Sequence, residues 1–115
     1  MLSDDEHQEY YVDDGCHIEH GRIKDDVAGF YHSKHLTAGV RCCSIDGSTC
    51  VTPRRCNPDD GITFSEAVDL CTDIGRRICT KEELLSEVCC GTGGMCDNFK
   101  VWTSTPNSGI ELQII

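Results

Sequence analysis

The stretch from Thr63 to Cys90, TFSEAVDLCTDIGRRICTKEELLSEVCC, decides the fold. Thr63 followed by Glu66 is a capping box, in which hydroxyl and carboxylate reciprocally satisfy backbone N–H groups at a helix start. Phe64, Ala67, Val68 and Cys71 then follow the i, i+3, i+4, i+7 spacing of one buried helix face. Gly75 supplies the left-handed residue that ends such a helix. Cys71 is therefore expected to face inward, placed to bridge to a sheet. Arg76 to Cys79 is too short for anything but an extended link. Thr80 with Glu83 is a second capping box and opens a short helix through Leu84 and Leu85. Val88-Cys89-Cys90 is expected to be extended again.

Upstream, LTAGVRCCSIDGSTCV (36–51) reads as two short strands around a turn at Asp46-Gly47, since Asp-Gly supplies the positive φ of a tight hairpin. TPRRCNPDDG (52–61) is loop chemistry. Downstream, Gly91-Thr92-Gly93-Gly94 is a flexible loop, and no Lys-Ser/Thr follows to make it a phosphate cradle. Phe99 to Thr103 is the last strand, carrying the only tryptophan, Trp102. Phe64, Val68 and Trp102 are the expected core.

The 115 residues include 10 cysteines: Cys16, Cys42, Cys43, Cys50, Cys56, Cys71, Cys79, Cys89, Cys90 and Cys96. Leu, Ile, Val and Phe make up only about a fifth of the chain, close to the level at which globular packing fails. Covalent cross-links are expected to make up the difference. The even count allows five disulfides, a density kept in oxidising compartments, so secretion is the expected localisation. The opening MLSDDEHQEY has no basic or apolar leader, and a removed signal peptide is the expectation that reconciles the two. Spacing does not choose among the roughly 900 pairings. Neighbours in an extended segment point to opposite faces, so Cys42–Cys43 and Cys89–Cys90 should each tie their segment to two different elements. No CxxC occurs, which argues against zinc knuckles.

The organisation reads as an acidic N-terminal arm (1–35), a cysteine-rich body (36–106) and an apolar C-terminal strand (107–115). The arm holds nine acids between Asp4 and Asp26 against Arg22 and Lys24, and reads as solvated, with Tyr10-Tyr11-Val12 a short strand within it. A net charge of −10 argues against a nucleic-acid partner. No apolar run is long enough to span a membrane. In the tail, Ile110, Leu112 and Ile114 alternate as one face of a strand. Such a strand is covered either within the chain or by a neighbouring copy.

The segments F-S-E-A-V-D-L-C, G-R-R-I-C-T-K-E-E-L, V-C-C-G-T-G, C-D-N and V-W-T-S-T between Phe64 and Thr105, with RCCS at Arg41–Ser44, resemble a family pattern. It is that of small secreted cysteine-rich domains of marine protists and invertebrates with RLCT-xx-EL, CCGTG and VWTS motifs. The register is also similar to that of the C-type-lectin fold, including formylglycine-generating-enzyme-like proteins. The resemblance implies a secreted binding or matrix module with no assigned catalytic residues. Calcium-dependent sugar sites of that fold use an EPN or QPD loop and a WND strand. The nearest sequences here, Asn57-Pro58-Asp59 and Trp102-Thr103-Ser104, do not match.

The candidate sites are few. His17 with His20, and His32 with His35, form two HxxH pairs that would hold a metal if helical, but no HExxH is present. Asp97 and Asn98, with Asp59 and Asp60, are oxygen ligands suited to calcium, without EF-hand spacing. There is no GxSxG and no acid–base dyad, so no enzyme is expected. The fold expected is α+β, a small disulfide-rich domain with short helices on a small antiparallel sheet. The expected role is a self-associating structural subunit of a matrix, coat or filament, with Tyr10, Tyr11, Ile110, Leu112 and Ile114 as subunit contacts. One alternative is a glycan or protein recognition module, with or without calcium, binding at the Gly91–Asn98 loop. The other is a metal protein built on the His pairs.

Overall fold

The computed structural model describes residues 8–16, 18–19, 22–23, 29–57, 59–93 and 95–107, with backbone alone for 18–19 and 22–23. The chain is a small disulfide-rich α+β domain. Its elements are β1 (Glu9–Asp14), β2 (Ile18–Glu19), β3 (Arg22–Ile23), β4 (Gly29–His32), β5 (Cys42–Cys43), β6 (Cys50–Val51), α1 (Phe64–Asp73), β7 (Arg77–Ile78), α2 (Lys81–Leu85) and β8 (Lys100–Pro106), with a 3-10 turn at Cys96–Asn98 before β8. They form antiparallel sheets in the orders β4-β1-β8, β2-β3 and β6-β5-β7. The outer side of β8 is covered: Gly39 pairs across it from Lys100 to Trp102, and Ser104 N–H donates to the Cys79 carbonyl.

The two faces of the main sheet carry two cores. On one face Val12 and Trp102 lie side by side and α1 packs over them through Ala67 and Cys71. Trp102 is fully buried and donates its indole N–H to the Ile62 carbonyl at 2.8 Å. Tyr31 and Phe64 meet it edge-on. On the other face Val101 joins Leu84 of α2 and a group of cystines. The disulfides are Cys16–Cys90, Cys42–Cys71, Cys43–Cys79, Cys50–Cys89 and Cys56–Cys96. Each doublet reaches two different partners; for Cys42–Cys43 in β5 this is the alternation of neighbouring side chains along a strand. Both capping boxes are formed, and Gly75 is left-handed at φ 76°. The β5–β6 turn has Gly47 at φ 79°. Asp46 binds it from within, accepting from the N–H and hydroxyl of Ser48 and the hydroxyl of Ser44.

Several expectations are corrected. The boundary at residue 35 is not structural: β1 is the central strand of the main sheet, and Asp13 and Asp14 within the supposed solvated arm are buried. Tyr11 is also buried; it bonds Asp13 at 2.9 Å and lies under Lys81 Nζ, so it has no open face for a neighbouring subunit. Val68 is 37% exposed, because the Cys42–Cys71 bond draws the Ala67–Cys71 line onto the sheet and turns Val68 to the rim. The 88–90 segment is a series of turns, with Cys90 N–H donating to Glu87 and Thr92 N–H to Cys89. β8 runs on to Pro106 because β1 pairs with it that far, Tyr10 opposite Pro106. Of the proposed C-terminal strand, residues 108–115 lie outside the described residues.

Replacing Trp102 by Ala is expected to cost ~3–5 kcal/mol in denaturant unfolding. Val68→Ala is expected to stay within about 0.5 kcal/mol; equal losses at the two positions would contradict this core. The Asp46 carboxyl is held at about 2, first by the Ser48 N–H, then by the two hydroxyls. A depressed folded value means that its contribution is present above the unfolded value and lost as pH falls toward 2. A carbon-detected NMR titration should place Asp46 near 2, and Ser48→Ala should raise it. An unperturbed midpoint would refute the turn geometry.

Candidate functional site

The loop from Cys89 to Phe99 is built around one buried cation. Arg41 has no exposed surface. Its Nη1 donates to the carbonyls of Gly15 at 2.8 Å and Cys89 at 2.5 Å. Its Nη2 donates to Gly93 at 3.2 Å and lies 2.7 Å from the Asp97 carboxylate. Asp97 in turn accepts from the Gly91 N–H. The planar guanidinium thus gathers β1's exit, the post-α2 turns and the 3-10 turn onto one point. Burial pulls its pKa down from the ordinary arginine value, and the Asp97 bond opposes that pull. Its Nε is buried without a hydrogen-bond partner among the described residues. Gly15 passes so close to the Cys96 carbonyl that a side chain there would overlap it.

No motif or spacing singles out Arg41. The available signal was a single arginine flanked by Val40 and Cys42 inside an apolar strand pattern, where a solvated cation has no place.

Three surface features lie on this frame. A cleft of about 460 Å³ is lined by Gly91, Gly93, Met95, Asp97, Asn98 and Phe99. A second cleft of about 440 Å³ lies where Tyr10 stacks flat on Phe64, centroids 3.8 Å apart, beside Lys34, Thr63 and Ser65. The third is the edge of β4, which among the described residues pairs on one side only, with β1. Phe30 on that strand is 44% exposed, and Leu36 just beyond it equally so.

The structure places the remaining candidates as follows. His32 and His35 do come together, ring centroids 4.3 Å apart, at the end of β4 and in the turn after it rather than on a helix. His32 Nδ1 accepts the Lys34 N–H, which leaves Nε2 for other partners. His17 and His20 lie outside the described residues. Asp97 is engaged by Arg41 and by the Gly91 N–H, and Asn98 follows it in the same 3-10 turn. Asp59 and Asp60 are exposed, and Asp60 accepts from the Asn57 amide. Tyr10 is half-buried on Phe64. Ile110, Leu112 and Ile114 lie outside the described residues. No helix among the described residues is long and apolar enough to cross a membrane.

Arg41→Lys keeps the charge but loses the fork that reaches three carbonyls and a carboxylate. It is expected to cost ~2–3 kcal/mol, and Arg41→Ala more, read by urea unfolding. Wild-type stability in Arg41→Lys would show that the fork is not needed. No family model, no curated protein and no solved structure matches this chain.

Proposed function

We propose that the chain is a non-enzymatic, secreted structural module that associates with further copies of itself. The observation that carries this is the edge of β4. Among the described residues it is a strand edge of the main sheet with no partner strand, with Phe30 and Leu36 exposed beside it. Natural sheets normally blunt such an edge with charge, proline or a covering segment. The chain also carries its own complement, the segment NSGIELQII, whose Ile110, Leu112 and Ile114 alternate at strand period. It follows directly on β8, where the Asn107 N–H still donates to Glu9. Strand addition from one copy onto β4 of the next is head-to-tail and does not close on itself, so it extends into filaments. Five disulfides suit a subunit that must persist in an oxidising, dilute setting.

A recognition module, the role implied by the likeness to C-type-lectin domains, is the second reading. Its support is the 460 Å³ cleft on the loop that Arg41 ties to the core through Cys89 and Asp97.

Size-exclusion chromatography with negative-stain microscopy tests the two. The full chain should form polymers, while a chain ending at Asn107 should be monomeric with an unchanged circular dichroism spectrum. Phe30→Asp should also prevent assembly. A full chain that stays monomeric at high concentration would refute self-association, and a melting shift with glycan or calcium would then favour recognition.

A further inference from the structure

We propose that Asp60–Gly61 is a modification site, at which the folded chain converts Asp60 spontaneously to isoaspartate. The chain has three Asp-Gly pairs, at 14–15, 46–47 and 60–61. In each, the residue after the aspartate has no side chain to keep its nitrogen off the carboxyl. By sequence the three are equally open to ring closure. The structure separates them, because closure needs an unengaged N–H on the glycine and a carboxyl that can turn onto it.

Neither Asp14 nor Asp46 meets both needs. Asp14 is buried, and the Gly15 N–H donates to the carbonyls of Cys96 and Phe99, each at 3.0 Å. The Gly47 N–H donates to the Ser44 carbonyl at 2.9 Å. The Asp46 carboxyl is turned away to the Ser48 N–H at 3.0 Å and to the hydroxyls of Ser48 and Ser44, each at 2.8 Å. Those donors keep it ionised down to about pH 2, and a carboxylate is a poor electrophile. Asp60 is exposed, and its carboxyl accepts only from the side-chain amide of Asn57, at 2.9 Å, among the described residues. The Gly61 N–H makes no hydrogen bond among the described residues. Glycine is also required at 61: a Cβ there would meet Thr37 Oγ1 at 2.6 Å and the Ala38 nitrogen at 3.2 Å. Packing of the 57–61 loop on residues 37–38 thus keeps the labile pair in the chain.

The chemistry balances without any co-reactant except water. The Gly61 nitrogen attacks Asp60 Cγ and gives up its proton, and a carboxyl oxygen leaves as water, closing a succinimide ring. Water then adds back to one of the two ring carbonyls. Addition at the side-chain carbonyl restores aspartate. Addition at the main-chain carbonyl breaks the original peptide bond, so the chain runs through Cγ and Cα carries the free carboxylate. No electrons are exchanged, and the water lost is regained. The main-chain carbonyl of Asp60 is the one to which Arg54 Nη2 donates, at 2.8 Å. A donor on that oxygen favours addition there, and it then faces the new carboxylate. The backbone gains one carbon between Cys56, bonded to Cys96, and Ile62, bridged to Ala38. That change falls on the lining of a cleft of about 310 Å³ to which Asp60 and Gly61 contribute. This inference does not depend on self-association.

The test holds the oxidised full chain at neutral pH and physiological temperature for several weeks. Isoaspartate is then located by electron-transfer fragmentation of its peptides. Accumulation at 60 is expected, on the order of tenfold above that at 14 and 46, since those two must first give up their hydrogen bonds. The same chain, reduced, alkylated and held in urea, should isomerise at all three sites at similar rates. Asp60→Glu, whose longer side chain closes the ring far more slowly, should lose the early signal, and Ser48→Ala should raise isomerisation at Asp46. A folded chain with no isoaspartate at 60, or with equal amounts at the three sites, overturns the proposal, as does the same preference for 60 in the unfolded chain.

Discussion

The fold depends on the sulfur framework where it passes through β5. That strand is two residues long, and backbone pairing alone would not hold it. Cys42 points to one side and is bonded to Cys71 in α1; Cys43 points to the other and is bonded to Cys79 after β7. One short segment is thereby fixed to both cores of the domain. Sequence separations from 29 to 74 residues make each bond a long-range constraint. In the chain-entropy account each such loop, taken singly, removes about 3.6–4.5 kcal/mol of disorder from the unfolded chain. That is the scale of a whole small-domain stability, which explains how so thin an apolar core suffices.

The polar interior follows from the same economy. With few large aliphatic side chains available, the space between the loop and the sheets is filled by Arg41, whose fork donates to the carbonyls of Gly15, Cys89 and Gly93. The cost of burying a cation is met by Asp97, itself half-exposed. The loop that offers the larger cleft is in this way continuous with the core rather than appended to it. The β4 edge is different in kind, since among the described residues it is a rim of the main sheet paired on one side only. This contrast separates a pre-shaped cleft suited to recognition from an edge suited to strand addition.

Local chemistry was legible in the sequence. Thr63 with Glu66, Thr80 with Glu83, Gly75, and Asp46-Gly47 act within a few residues, and the structure carries out each of them. The opposed directions of Cys42 and Cys43 were also legible, because alternation in extended chain is local. What was hidden is long-range. The pairing of β1 with β8 joins residues at opposite ends of the described chain, and nothing in Glu9–Asp14 announces a central strand. Its acids argue for water, yet Asp13 accepts from the Tyr11 hydroxyl and the Asp14 N–H and is fully buried. Val68 satisfied helical periodicity yet sits at the rim, since a disulfide rather than hydrophobic content sets the helix's rotation. The spacing predicts the Cys89–Cys90 doublet in a strand, but it lies in turns, bonded to Cys50 in β6 and to Cys16 just after β1.

Peptide mapping of the unreduced protein by tandem mass spectrometry, with cleavage between the adjacent cysteines, tests the central claim most directly. The account predicts five bonds and no free thiol: Cys16–Cys90, Cys42–Cys71, Cys43–Cys79, Cys50–Cys89 and Cys56–Cys96. Thiols free in the purified oxidised protein, or Cys42 and Cys43 both bonded to the same element, would contradict it.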